Sequence, residues 1–216
     1  MKRNIDWWAH ERELWKAGCQ AVCGCDEAGA GPLAGPVYAA AVILPPETDI
    51  PGLNDSKKLS EKCREALYEI ITETALAWSV ARIEAIEIDA TDILSARIKA
   101  MQRAIDGLTI RPDMALVDGN RDHGRTAAIW TPHVMIVRGD AESASIAAAS
   151  IVAKVSRDRY VVTDLARRYP QYAFAKHKGY GTKLHYELLD KYGPCPAHRR
   201  SYLKKWEARR RETPHE

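Results

Sequence analysis

A chain of 216 residues is long enough for one well-buried core with some length left for an appendage. Hydrophobic residues make up 46% and charged residues 28%, the balance of a soluble globular domain, and the net charge of +3 matters less than where the charges lie. Five cysteines, an odd number with no framework spacing, argue against an exported disulfide scaffold, and the second close pair that a zinc site needs is missing.

Met1 to Gln20 mixes charges with Trp7, Trp8 and Trp15, so it reads as neither a signal peptide nor a membrane span, and the expected compartment is the cytoplasm. Asp6 to Ala17 predicts a short helix, with Asp6 as its N-cap and Gly18 as its stop. Ala21 to Asp26 and Val37 to Leu44 are apolar runs separated by a Gly/Pro-rich turn, the pattern of two neighbouring strands. Cys23 and Cys25 alternate along the first run and are expected to share a buried face. Ser60 to Leu76 has helical spacing, and Trp78 to Ile83 alternates as a third strand. Thr91 to Gly107 is a second amphipathic helix, and Met114 to Val117 and Val134 to Val137 are two more short strands. Ser143 to Arg168 predicts one long, Ala-rich helix. Past Pro170 the chain turns polar and glycine-rich, then helical again from about Lys183 to Lys191 and from Tyr202 to Arg211. This order predicts one α/β domain over 1–216, a mixed central sheet flanked by helices. The core would lie at approximately 20–170 and a helical C-terminal, substrate-binding extension at 171–216.

The chemical signal is a set of acids at strand ends. Asp26 and Glu27 close the first strand, Asp118 ends Met114 to Val117, and Asp140 follows Val134 to Val137 after Gly139. Carboxylates gathered at a sheet's mouth repel one another unless a cation sits between them. Oxygen ligands without histidine or cysteine favour Mg2+ or Mn2+, and two such ions about 4 Å apart suit phosphodiester hydrolysis. Position alone leaves plainer roles open: Asp118 before Gly119 is a common turn pair, and Asp140 could cap the helix near Ser143. The run Arg199, Arg200, Lys204, Lys205, Arg209, Arg210, Arg211, and the pair Lys176 and Lys178, could follow a phosphate backbone or form solvated faces.

The run Asp26-Glu27-Ala28-Gly29-Ala30-Gly31-Pro32-Leu33-Ala34-Gly35-Pro36-Val37 resembles the signature of the type 2 ribonuclease H family. Asn54 to Leu59, Val117 to Asn120, Gly139-Asp140 with Ile146 to Val155, and His177 to Thr182 with Pro196 to Ser201 resemble further blocks of that family in its order. The resemblance reaches from residue 26 to residue 201. It implies an RNase H-like fold and metal-binding catalytic carboxylates at Asp26, Glu27, Asp118 and Asp140, with Asp26 bridging both ions. Asp158 and Glu142 rank behind them. It also implies hydrolysis 5′ to a ribonucleotide in an RNA–DNA hybrid or a DNA duplex, leaving a 3′-hydroxyl and a 5′-phosphate.

For the substrate, the resemblance implies that backbone groups of Gly29, Ala30 and Gly31 meet the 2′-hydroxyl and that Tyr180 stacks on the neighbouring sugar. Lys57, Lys58 and Lys178 would be phosphate contacts. One position departs from the family's pattern: arginine usually stands where this chain has Ala30. The amide survives there while a charged phosphate contact is lost, so weaker binding or a relaxed preference for single ribonucleotides is expected. The competing readings are a ribonuclease HIII, a non-catalytic binder of hybrids, and a resolvase- or integrase-like DNA nuclease. A monomer is the default state, with no membrane and no named protein partner.

Overall fold

The structure, a computed structural model, describes residues 5–212. Five strands form one mixed sheet in the order β3-β2-β1-β4-β5: β1 (Val22–Ala28), β2 (Val37–Ile43), β3 (Ala77–Ile83), β4 (Met114–Asp118) and β5 (His133–Ile136). The β1–β2 and β2–β3 pairs are antiparallel, whereas β1–β4 and β4–β5 are parallel. Every residue of β2 is buried, as expected for a strand covered on both faces.

Helices lie on both sides of the sheet. One core layer joins Cys23, Cys25, Ala115 and Val117 to helix α4 (Ile93–Asp106), which follows α1 (Ala9–Lys16), α2 (Glu61–Thr74) and α3 (Ala85–Ala90) in the chain. The opposite layer joins Ala40 and Val42 to α2 and to α5 (Ala144–Tyr160). Ser60, Asp92 and Ser143 cap α2, α4 and α5 with their side chains, each accepting a backbone N–H.

Gly24 fixes how close β1 and α5 can come. A Cβ built there would stand 2.0 Å from the carbonyl carbon of Ser145, in the backbone of α5, which has no flexible end to move aside. Gly24→Ala is therefore expected to destabilise the fold by about 3 kcal/mol or more, read from urea unfolding. A loss under about 1 kcal/mol would mean that the helix can lift off the strand at little cost.

Several elements differ from the sequence reading. The first helix starts at Ala9, and Asp6 lies outside it: Trp8 occupies the cap position, while the Asp6 carboxylate accepts from the Trp8 N–H and from the Arg12 guanidinium. The long helix is broken after Tyr160 by a π-helical turn at Val161–Leu165, then closes as α6 (Ala166–Arg168). Short α3 and α7 (Phe174–His177) were not foreseen, because four to six residues carry no readable period. The chain continues through α8 (Lys183–Tyr192) and α9 (Lys204–Glu212). Cys23, Cys25 and Cys195 are buried thiols, but Cys63 is exposed. Met1 to Asn4, part of the N-terminal stretch read above, and Thr213 to Glu216 lie outside the described residues. No helix among the described residues is long and apolar enough to cross a membrane.

Candidate active site

Strand register brings the acids together. The parallel pairing of Cys25 with Val117 puts Asp26 beside Asp118 at the adjacent ends of β1 and β4. Alternation then sorts the side chains. Asp26 follows Gly24 onto the α5 face, where the Ser150 hydroxyl hydrogen-bonds to it. Glu27 follows Cys25 onto the α4 face, where its Oε1 lies 2.5 Å from Arg97 Nη2. Asp140 arrives from a turn after β5, in the 3₁₀ segment Gly139–Ala141. Asp118 Oδ1 accepts the Gly139 N–H at 2.7 Å, which ties that turn to the end of β4.

Asp140 does not cap α5. The Ser143 hydroxyl accepts the Ile146 N–H there, and buried Glu11 accepts from Ser143 Oγ at 2.7 Å and from the Ser145 N–H at 3.0 Å. Asp118 does end a turn at Gly119 (φ 114°), but it also belongs to the acidic group.

The electrostatics of this group are strained. Burial, then Glu27 and Asp118, push the Asp26 carboxyl well above the ordinary carboxylate range. Burial also raises Glu27, with Arg97 opposing it and Asp118 adding to it. Burial and Asp140 raise Asp118. Two cations intrude on the cluster: Arg97, and Lys57, whose Nζ lies 3.0 Å from Asp140 Oδ2. Burial works against the Lys57 ammonium, but Asp140, Asp26 and Asp55 outweigh it and hold it above its usual value.

The donor set fits a hard divalent ion. It is made only of carboxylate oxygens, and Glu27 Oε2 is buried without any hydrogen-bond partner. Among the described residues no three of these side chains close on one point as a finished cage. Lys57 pairs with Asp140 and Arg97 with Glu27, so two cations partly offset the repulsion among the acids. The rival acids have other partners. Asp158 lies between Lys154 Nζ (2.8 Å) and Lys178 Nζ (3.0 Å), and Glu142 faces His10 at 4.0 Å.

Next to the acids, the turn at residues 29–35 is held from the far end of the chain. Arg199, grouped above with a surface basic run, is 0% exposed. Its Nη2, Nη1 and Nε donate to the carbonyls of Gly29 (2.7 Å), Ala30 (2.8 Å) and Gly35 (3.0 Å). The Tyr202 hydroxyl donates to the Ala30 carbonyl as well, at 2.8 Å. Arg157, also buried, donates to the carbonyls of Ala34, Pro36 and Lys178. Gly29 is required twice over: its φ is 92°, and a Cβ would meet Arg157 Nε at 2.1 Å.

The same turn receives the tyrosine loop. The Gly179 carbonyl accepts the N–H groups of Leu33 (2.8 Å) and Ala34 (3.3 Å), which seats Tyr180 beside the glycine turn. Tyr180 is 41% exposed, with Lys154 Nζ 5.7 Å and Arg157 Cζ 5.8 Å from its ring centre. The three lysines are less available than expected of phosphate contacts. Lys178 is ion-paired with Asp158 and Glu61, Lys58 with Asp55, and Lys57 with Asp140. Arg97 and Arg157 were not singled out from the sequence, and Arg199 was read only within a basic run and a family block. Arg157 carried a signal, since it continues the buried line Ile146, Ser150, Ala153 along α5; the burial of Arg199, next to exposed Arg200, carried none.

Comparison with known proteins decides the family. The family model described as Ribonuclease HII matches residues 23–205, a span that contains every residue of the acidic cluster and of the stapled turn. The chain belongs to the ribonuclease HII family. A Ribonuclease HII of Idiomarina loihiensis is 56% identical over 84% of this chain and 94% of its own length. One from Caldicellulosiruptor bescii is 50% identical over 90% and 92%. Among solved structures, the ribonuclease H2 of Pyrococcus horikoshii OT3 superimposes with a TM-score of 0.71 at 27% identity, covering 90% of this chain and all of that one. The mixed sheet flanked by helices is thus an RNase H-like fold, and the chain is a ribonuclease H, a nuclease of a metal-dependent family.

Proposed function

We propose that this ribonuclease HII cleaves the phosphodiester 5′ to ribonucleotides, both in RNA–DNA hybrids and at single ribonucleotides embedded in duplex DNA. Asp26, Glu27, Asp118 and Asp140 would hold two Mg2+ or Mn2+ ions. When bound, those ions supply an activated water and neutralise charge on the leaving oxygen. The observation that carries this reading is the buried, mutually repelling carboxylate cluster, with one Glu27 oxygen left unpartnered, directly beside the stapled glycine turn.

The chain's own residues do the rest. Lys57 reaches into the acids from the 3₁₀ turn Ser56–Lys58, where its ammonium would be a phosphate contact. The backbone of Gly29, Ala30 and Gly31 offers close approach to a 2′-hydroxyl, and Tyr180 offers a ring for the adjoining sugar. Lys58 and Lys178 are further phosphate contacts in this reading, and segment 171–216 is the substrate-binding extension. Ala30 brings no charge to the turn, so affinity rests on the backbone and on the flanking cations. The biological setting is removal of ribonucleotides from DNA and of RNA primers, in the cytoplasm, by a monomer.

The test uses a labelled DNA duplex with one ribonucleotide, an all-DNA control and a long RNA–DNA hybrid, each with Mg2+, Mn2+ or chelator. Metal-dependent cutting 5′ to the lone ribonucleotide is expected, with loss of about 10³-fold in Asp118→Asn. Cutting of the long hybrid alone would remove single-ribonucleotide recognition from the proposal, and cutting of the all-DNA control would overturn it.

A further inference from the structure

Behind the tyrosine loop lies a buried group of three histidines that the chemistry above does not use: His177, His185 and His198, packed with Tyr172 and Phe174. Their contacts form a chain with two fixed ends. At one end the Cys195 N–H, which can only donate, points at His198 Nδ1 from 3.0 Å. At the other, the Tyr180 carbonyl, which can only accept, lies 2.9 Å from His185 Nδ1. Between them the two Nε2 atoms face each other at 3.0 Å.

These ends permit one proton arrangement. His198 accepts at Nδ1, so its proton is on Nε2, and it donates to His185 Nε2. His185 then carries its proton on Nδ1 and donates to the Tyr180 carbonyl. A proton added to either ring sets two donors face to face. His177 completes the frame: it accepts the Gly179 N–H at Nδ1 (3.2 Å) and meets the Tyr172 carbonyl through Nε2 (2.8 Å), while its ring stacks on His185 at 4.2 Å. The residue before Tyr180 and the carbonyl of Tyr180 itself are thus held by neutral imidazoles.

We propose that His198 and His185 form a neutral, one-directional hydrogen-bond relay that positions Tyr180 for reading the sugar beside a ribonucleotide. This rests on the substrate reading of Tyr180 given above. The histidines are positioning residues, since their hydrogen bonds go to Tyr172, Gly179, the Tyr180 carbonyl, Cys195 and one another. Burial lowers both His185 and His198 to about 4, consistent with rings that stay uncharged at neutral pH.

Two measurements test the relay. In the full chain at pH 7, nitrogen–proton correlation spectra of the histidine side chains are expected to show His185 as the Nδ1–H tautomer and His198 as the Nε2–H tautomer. A charged or Nε2–H His185 would overturn the relay whatever the activity. The second compares His185→Phe, which fills the space without a donor, with His185→Asn, which keeps a donor near Nδ1. KM for a single-ribonucleotide duplex is expected to rise about tenfold in the Phe variant and less than about threefold in the Asn variant, with kcat changing little in either. Tyr180→Ala is run beside them. If it raises KM while His185→Phe does not, the relay is wrong. If it leaves KM unchanged, the reading of Tyr180 is wrong, and the tautomers alone then decide whether the relay exists.

Discussion

Replacing Asp26 with asparagine is expected to abolish cleavage and, with divalent ions chelated, to stabilise the fold. Loss of activity follows from its central place: it neighbours Asp118 through strand register, it feels the charges of Glu27 and Asp118, and its own is felt by Lys57. A drop of about 10³-fold or more in rate corresponds to about 4 kcal/mol of barrier. The gain in stability follows from repulsion. Asparagine keeps an oxygen for Ser150 and for the Glu27 N–H, now 2.7 Å from Asp26 Oδ1, while removing a buried charge that Glu27 and Asp118 oppose. Each kcal/mol recovered would raise Tm by about 2–4 °C.

The stability difference should also depend on pH. A carboxyl whose folded value lies above its unfolded one contributes stability that is complete below about pH 4, and loses it as pH rises through the folded value. The wild-type protein in chelator should therefore fall behind Asp26→Asn progressively from about pH 4 upward. The buried histidines bend both curves the opposite way below about pH 6.5 and cancel in the comparison. An asparagine variant that melts at or below wild type at every pH would show that the acids are not held against their repulsion.

Arg199→Ala is expected to be among the most destabilising single changes in the chain, by about 3–5 kcal/mol in urea unfolding. The guanidinium ends on three main-chain carbonyls, and removing it leaves those of Gly29 and Gly35 without the donor that serves them. Burial, and then Arg157, lower Arg199 to about 10, so it is still charged at neutral pH and its charge is spread over carbonyl dipoles. Lysine has one ammonium and no fork, so Arg199→Lys should lose most of the same stability. A cost below about 1 kcal/mol in both variants would mean that water or another side chain replaces the staple.

The acidic cluster was partly legible because Asp26 and Asp118 stand where apolar runs stop. Asp26 after Val22–Cys25 and Asp118 after Met114–Val117 are readable as strand ends without knowing which strands are neighbours. The register that makes them neighbours was not legible, because pairing β1 with β4 across some ninety residues is a tertiary choice. Alternation along β1 separates Asp26 and Glu27 onto opposite faces, a consequence not drawn from the sequence, and nothing there named Arg97 as the cation on the second face. Arg199 shows the converse limit. Charge is read from the sequence as exposure, and a guanidinium whose partners are main-chain carbonyls leaves no complementary acid to reveal it.

The bonds from Arg199 to Gly29 and Ala30 span 170 and 169 positions of the chain. A growing polypeptide on the ribosome would expose the acids of β1, β4 and the turn after β5 well before residue 199 emerges. Until then the carbonyls of Gly29, Ala30 and Gly35 lack the Arg199 guanidinium that orders them. If the glycine turn reads the sugar as proposed, sugar discrimination is written last during synthesis: an unfinished chain would gather its acids before it could tell ribose from deoxyribose.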